Sequence, residues 1–142
     1  MQMSPYLSFK GDCEAAFTFY EQCLGGKLGA IFRYAASPMV NQVPADWSDK
    51  VMHGSVTVCD QVLMGADIVK DQYEEPRGFS LSLQMKSTAD AERIFLELAK
   101  NGRVVLLLET TFWAARFGMV VDCFGIPWLI NCEESEQAAP AA

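Results

Sequence analysis

One order of predicted secondary-structure elements occurs twice in this chain, and the repeat limits the fold more than any other sequence feature. Each half begins with an alternating apolar segment typical of a strand, continues with apolar residues at helical spacing, and ends with three further strand-like segments. The halves cover residues 4–66 and 78–132. The repeat predicts two βαβββ units in a single domain of residues 1–132. We therefore expect an α+β fold whose curved mixed sheets carry their helices on the outer face.

The two halves align at two slightly different offsets. Leu7 aligns with Leu81 at an offset of 74 residues, whereas Gly26 aligns with Gly102 at an offset of 76. The difference predicts two extra residues ahead of the second helix.

Two segments fall outside the repeat. Residues 37–50 are mainly polar and contain Trp47, so we expect a long loop that either closes as a lid or is anchored by the tryptophan. The last ten residues, 133–142, contain three glutamates and no lysine or arginine. This composition predicts a disordered tail.

Charge and hydropathy exclude several classes of partner. The chain has 11 Lys and Arg against 18 Asp and Glu, a net charge of −7, and no basic run. Nucleic-acid binding and binding to an anionic membrane surface both require a basic patch, so we expect neither. The longest aliphatic run, Val104–Leu108, is far shorter than the roughly 20 residues that span a bilayer.

The cysteines favour a reducing compartment. The five cysteines form no CxxC pair, and the first ten residues lack the pattern of a signal peptide. We therefore expect a cytoplasmic protein. Cys13 is predicted to lie in the first turn of a helix capped by Asp12, where the helix dipole would lower the pKa of its thiol. Ser87 is the candidate cap of the second predicted helix.

Two longer segments carry a family resemblance. Residues 6–28 read YLSFKGDCEAAFTFYEQCLGGKL, and residues 110–131 read TTFWAARFGMVVDCFGIPWLIN. Over residues 4–132 the chain resembles the vicinal oxygen chelate superfamily of glyoxalases, bleomycin-resistance proteins and dioxygenases. The second segment is similar to the PhnB-like branch, which is also labelled 3-demethylubiquinone-9 3-methyltransferase-like. Because relatives commonly pair two chains, the resemblance also implies a homodimer.

The resemblance implies four positions for ligands of a divalent metal. They fall at Pro5, His53, Phe79 and Leu129. Proline, phenylalanine and leucine cannot ligate a metal, and one imidazole alone does not hold a divalent ion. We therefore expect no bound metal and no cofactor.

Strand alternation predicts an apolar cavity with a few polar points. Side chains two residues apart on a strand share a face, so Leu7, Leu81 and Leu83 are expected to face the cavity together with the four implied ligand positions. Such a lining is typical of a small-molecule pocket, although the same residues could fill a closed core or a dimer interface. The candidate ligand-binding residues are Phe9, Ser55, Phe79, Trp113, Phe117 and Leu129. By the same alternation Trp128 faces the helices.

His53 and Glu109 are the candidate catalytic residues. His53 is the only histidine and aligns with Phe117 of the second half, and Glu109 ends an apolar strand. Two functions remain open. The first is binding of an unidentified small molecule without metal. The second is an enzyme of the lyase, isomerase or dioxygenase type that uses His53, and possibly Glu109, as acid–base groups or has an unrecognised metal site.

Overall fold

A computed structural model describes residues 1–133 and divides the chain into two compact units, Met1–Glu75 and a second that begins at Pro76. The tail predicted at residues 133–142 lies outside the described residues except for Glu133, whose backbone N–H donates to the Met85 carbonyl. No helix within the described part of the chain is both long and apolar enough to cross a membrane.

Unit 1 (Met1–Glu75) contains a four-stranded mixed sheet and one helix. Its strands lie in the order β1-β4-β3-β2, with β1 parallel to β4 and the other pairs antiparallel. Three short 3₁₀ turns lie between β2 and β3. The elements are β1 (Tyr6–Phe9), α1 (Cys13–Leu24), β2 (Lys27–Arg33), β3 (Val51–Val58) and β4 (Gln61–Asp67).

Unit 2 (from Pro76) has the same architecture, with strand order β5-β8-β7-β6. Two mixed four-stranded sheets with one helix each confirm the predicted α+β fold. The first strand of this unit begins at Leu81 and not at Phe79 as predicted. Leu81 pairs with Trp128, and the neighbouring strand begins only one residue earlier, so that strand offers no partner for Phe79. The elements are β5 (Leu81–Met85), α2 (Thr88–Ala99), β6 (Arg103–Glu109), β7 (Arg116–Val121) and β8 (Pro127–Cys132).

Strand pairing corrects the alignment of the two halves. Tyr6 lies beside Met64, Ser82 lies beside Leu129, and Met64 and Leu129 hold equivalent places in their hairpins. Tyr6 is therefore equivalent to Ser82, at the offset of 76 that also relates Gly26 to Gly102. The prediction of two extra residues was wrong, because an alternating strand pattern fits equally well when it is shifted by two residues.

Each helix covers one face of its own sheet. In unit 1, Leu7, Phe9 and Val56 are buried on the side of the sheet that faces α1. In unit 2, Val120, Trp128 and Ile130 are buried, as are Ile94, Phe95 and Leu98 of α2. Trp128 therefore faces the helix, as alternation predicts. The side of each sheet that faces away from its helix is called the open face below.

A buried carboxylate joins the start of α1 to β3 and β4. Asp67, at the end of β4, accepts hydrogen bonds at Oδ1 from the backbone N–H groups of Gly11 and Cys13, and at Oδ2 from that of Val51. Asp12 precedes the helix but makes no capping hydrogen bond with its side chain. The capping function is therefore supplied by a residue distant in sequence.

Cys13 does not have the lowered thiol pKa that its helix position predicts. The side chain is fully buried, and burial raises the thiol pKa well above its ordinary value. The negative charges of Asp67, Asp12 and Glu14 raise it further. Desolvation and nearby carboxylates outweigh the helix dipole, so Cys13 is a small buried hydrophobic residue and not an activated nucleophile.

Candidate functional site

His53 lies on the open face of unit 1. It precedes Gly54, whose Cα faces Phe17 of α1, since a Cβ built on Gly54 would lie 3.8 Å from the phenylalanine ring. Neighbouring side chains on a strand point to opposite faces, so His53 and Ser55 face away from the helix. This side, opposite the helix, is the one that the family resemblance implies for His53.

A tyrosine contacts His53 from β1. The Tyr6 hydroxyl lies 3.0 Å from His53 Nδ1, and the two rings are 5.6 Å apart between centroids. On the other flank, Phe32 of β2 pairs directly with His53, and their ring centroids are 6.3 Å apart. Tyr6 is 51% exposed and Phe32 54% exposed. These three residues, named the aromatic row, form an accessible surface with one polar pair at its centre.

The Tyr6 hydroxyl keeps its proton at neutral pH. Burial raises its pKa above the ordinary tyrosine value, with Cys13 and Tyr34 adding to the rise. The Tyr6–His53 contact is therefore a hydrogen bond between a neutral phenol and an imidazole, and not an ion pair.

Ser55 adds a second polar point to this open face. It lies two residues after His53 on β3 and is partly buried. Its hydroxyl occupies the space that a side chain at Gly29 would need, since a Cβ built there would collide with Ser55 Oγ. The glycine on β2 thus leaves room for the Ser55 hydroxyl beside the aromatic row.

Phe9 faces the opposite direction from the one predicted. It is fully buried and packs edge-on against Phe17 of α1, with ring centroids 5.5 Å apart. Leu7 is buried on the same side. These two apolar residues face the helix because the amphipathic α1 covers them, so their neighbours Tyr6 and Ser8 face the open side. The prediction of Phe9 as a ligand-binding residue was wrong.

Phe117 and Leu129 lie on the open face of unit 2. Gly118 faces α2, since a Cβ built on it would lie 3.0 Å from the Phe95 ring, so Phe117 faces away. Leu129 pairs with Met119, which lies two residues after Phe117 on the same strand. Both predicted residues therefore share one face. Leu81 and Leu83 do not share it as predicted, because they lie beside the buried residues Trp128 and Ile130.

Trp113 extends this apolar surface from the loop between β6 and β7. Its ring lies edge-on to Phe117 at 5.4 Å and to Phe112 at 4.6 Å between centroids. The loop is braced by hydrogen bonds from the Ala114 backbone N–H to Thr111 Oγ1 and from Arg116 to Thr110 Oγ1. Trp113, 53% exposed, is thus held in place by the loop and by Phe117.

A short polar ladder crosses the same open face. Asn131 Nδ2 donates to Gln84 Oε1 at 2.8 Å, and Gln84 Nε2 donates to Ser82 Oγ at 2.7 Å. Asn131 pairs directly with Phe117, so amide groups lie beside the aromatic ring. The face therefore offers hydrogen-bonding groups next to an apolar surface.

The remaining predicted residues lie at the margins of unit 2. Phe79 precedes β5 and is about half exposed, and Glu109 is the exposed last residue of β6. The hydrogen-bond partner of His53 is Tyr6 and not a carboxylate. Trp47 packs against Gly11 and lies near the Lys50 ammonium, which anchors the 37–50 loop beside the β1–α1 turn.

The family model described as the Glyoxalase/Bleomycin resistance protein/Dioxygenase superfamily matches residues 2–130. The chain belongs to this superfamily. The expected membership is thereby confirmed, and the wider comparisons agree with it.

Three proteins illustrate how this superfamily member relates to others. The chain is similar to Protein YjdN of Escherichia coli K12, with 33% identity over 139 residues, which cover 92% of this chain and 95% of YjdN. The crystal structure of protein PA1353 from Pseudomonas aeruginosa is 46% identical, covers 95% of this chain and 99% of that one, and gives a TM-score of 0.85. A Bacillus cereus PhnB protein, described as a putative 3-demethylubiquinone-9 3-methyltransferase, shares the fold at 22% identity, with coverage of 93% and 99% and a TM-score of 0.80.

The residues present do not fit the metal that the superfamily implies. Among the described residues, no group of three or more His, Cys, Asp or Glu side chains could hold a metal ion. Pro5 precedes β1, and the open-face neighbour of His53 from that strand is Tyr6. Phe117 and Leu129 supply only hydrocarbon on the other open face. The donor set amounts to one imidazole, one phenol and neutral amides, which is not a site for a divalent ion.

Sequence reasoning missed Tyr6 and Phe32. Strand alternation shows which residues share a face, but not which of the two faces the helix covers. Tyr6 could have been found by assuming that the apolar residues Leu7 and Phe9 pack against the apolar side of the first helix. Tyr6 would then face the other side of the sheet. Phe32 could be found only from the register of β2 against His53.

Proposed function

We propose that this member of the superfamily is a cytoplasmic small-molecule-binding protein that works without the usual metal. The observation that carries the proposal is the aromatic row, in which an exposed phenol–imidazole pair is flanked by a second exposed ring. Two accessible aromatic rings and a polar pair resemble the usual lining of small-molecule sites, which is mostly apolar with a few placed polar groups. All five cysteines are free, which agrees with a reducing compartment.

The chemistry of the two open faces limits the ligand. Tyr6 and Phe32 offer ring surfaces, and His53 with Ser55 offers hydrogen bonds. Unit 2 repeats this combination with Phe117, Trp113 and the Ser82–Gln84–Asn131 ladder. Both faces suit a neutral ligand with a flat apolar part and polar substituents.

Thermal-shift screening of such compounds tests the proposal. A compound that binds only the native state raises the melting temperature of the wild-type protein. The variant His53→Phe keeps a ring on the open face but removes the polar contact, so it should fold normally and bind about five- to hundredfold more weakly.

Thr18→Val is the matched control, since Thr18 lies on α1, which covers the other side of the sheet, and should leave affinity unchanged. Equal affinity of the wild type and His53→Phe for every stabilising compound would contradict the proposal. So would about one Zn, Ni, Fe or Mn ion per chain found by elemental analysis after dialysis.

The Tyr6–His53 pair also favours a second candidate function, an enzyme. A phenol hydrogen-bonded to an imidazole can relay a proton, and Glu109 remains a predicted second acid–base group. Incubation of each stabilising compound with the wild type, followed by mass spectrometry, separates the two functions. Conversion that is lost in His53→Phe supports the enzyme, and unchanged compound supports binding alone.

We propose in addition that two copies of the chain form a dimer through β6. This edge strand has the sequence Arg-Val-Val-Leu-Leu-Leu-Glu, and Val104 to Leu107 are all exposed. An unpaired apolar edge strand is a template for pairing with another chain. Antiparallel pairing about a two-fold axis would place Arg103 of each copy near Glu109 of the other, which makes the strand complementary to itself in charge. The occupant that fits this edge is therefore a second copy.

A further inference from the structure

His53 is held by a single hydrogen bond, and that bond involves only one of its two ring nitrogens. The Tyr6 hydroxyl lies 3.0 Å from Nδ1. No other described residue forms a hydrogen bond with the imidazole, so Nε2 has no partner within residues 1–133. A neutral imidazole carries one hydrogen, on either Nδ1 or Nε2, and the nitrogen without it is an acceptor. The direction of the Tyr6 bond therefore decides which hydrogen-bonding group His53 presents on Nε2.

The chemistry of the two groups favours donation by the tyrosine. A phenol hydroxyl is a more acidic donor than a neutral imidazole N–H, and an imidazole nitrogen is a better acceptor than a phenol oxygen. When Tyr6 donates to Nδ1, the imidazole hydrogen is on Nε2.

We infer that Tyr6 is a positioning residue that holds His53 in the tautomer with its hydrogen on Nε2. The geometry needed for this is built into the sheet. Tyr6 is fixed in β1 by its pairing beside Met64, and His53 is fixed in β3 by its pairing with Phe32. Strand pairing thus fixes both residues at positions where their side chains are in contact on the open face.

This tautomer defines what the proposed small-molecule site can recognise, and this step rests on the proposed function. With its hydrogen on Nε2, His53 is a hydrogen-bond donor toward the ligand. The matching ligand group is an acceptor oxygen, such as that of a carbonyl. A ligand whose polar group can only donate would leave two donors facing each other and would be rejected.

The tautomer can be measured directly because the chain has a single histidine. Uniformly ¹⁵N-labelled protein, recorded at alkaline pH where imidazole side chains are neutral, gives one pair of ring nitrogens in a long-range ¹H–¹⁵N spectrum. We expect the wild type to show the pattern with hydrogen on Nε2. In Tyr6→Phe, which keeps the ring and loses the hydroxyl, the ratio of this tautomer to the other should fall about fivefold, the factor of a typical side-chain hydrogen bond.

Phe32→Leu is the matched control, because it removes the other ring beside His53 but no hydrogen bond. It should leave the tautomer ratio unchanged. A wild-type spectrum with hydrogen on Nδ1, or the same ratio in the wild type and Tyr6→Phe, would overturn the inference. The measurement requires no ligand, so its failure is distinct from failure of the proposed binding function, which the thermal-shift experiment tests.

Discussion

The buried Cys13 thiol makes the stability of the protein sensitive to alkaline pH. Burial and nearby carboxylates raise the pKa of this thiol in the folded chain, whereas in the unfolded chain it ionises near its ordinary value of about 8.5. The unfolded state therefore loses a proton first as pH rises. The contribution of Cys13 is fully present below about pH 8.5 and is lost progressively above it.

Denaturant titration at a series of pH values measures this effect. Above about pH 8.5 the free energy of unfolding should fall, with Cys13 contributing up to about 1.4 kcal/mol per pH unit. Cys13→Ala should lower stability at neutral pH but reduce the alkaline slope by that amount. Cys59→Ala, at an exposed cysteine, should leave the slope unchanged. An equal slope in wild type and Cys13→Ala would contradict the assignment.

Individual residues also show what could and could not be predicted from the sequence alone. Alternation shows which side chains of one strand share a face, as for His53 and Ser55 on β3, because a strand has a fixed period of two. It misplaced Phe9, because the period gives no information on which face meets the helix. Tyr6 was missed for the same reason. The orientation of a half-buried strand depends on long-range packing, which a local pattern does not contain.

Among the secondary-structure elements, the start of α1 depends on Asp67. Its carboxylate accepts three backbone hydrogen bonds, from Gly11, Cys13 and Val51, at 2.9–3.0 Å. In Asp67→Asn the side-chain NH₂ would face one of these backbone N–H groups, which would then lack an acceptor. The remaining hydrogen bonds would lose the contribution of the negative charge. We expect the free energy of unfolding to fall by about 3 kcal/mol in urea titration.

The second helix offers a comparison, because its cap is local. Ser87 Oγ accepts from the Asp90 backbone N–H at 3.2 Å on an exposed surface. Ser87→Ala should cost only about 1 kcal/mol. If Asp67→Asn were no more destabilising than Ser87→Ala, the proposed bridging function of Asp67 would be wrong. The sequence predicted the Ser87 cap because capping by a neighbour is local, but it assigned the first cap to Asp12, because no local signal reveals Asp67.

For the whole molecule, the repeated element order was sufficient to predict both sheets and both helices, whereas superfamily membership came from the resemblance carried by residues 6–28 and 110–131. The register between the halves could not be predicted to better than two residues, since alternating strands leave it ambiguous. The first metal position that the resemblance implies falls at Pro5, one residue before Tyr6, which contacts His53. Neither residue is a carboxylate, so the choice between them does not change the finding that the described residues lack a suitable donor set.

The proposed dimer rests on the exposed edge strand β6. Analytical ultracentrifugation at micromolar concentration should give twice the chain mass of 15.7 kDa. Leu107 is 63% exposed, so Leu107→Glu should leave the fold intact and shift the protein to monomer by placing a charge in an apolar interface. Circular dichroism of the variant, compared with that of the wild type, checks that it is folded.

A charge swap tests the antiparallel arrangement itself. Within the described residues neither Arg103 nor Glu109 forms an ion pair, so both are available to a second copy. Glu109→Arg should weaken the dimer by less than about thirtyfold, because the two-fold axis creates the ion pair twice and each exposed pair contributes up to about 1 kcal/mol. The double variant Arg103→Glu/Glu109→Arg restores opposite charges and should recover the wild-type dissociation constant. A dimer that is insensitive to Leu107→Glu and to both charge variants would use another surface, and a 15.7 kDa species alone would exclude the dimer.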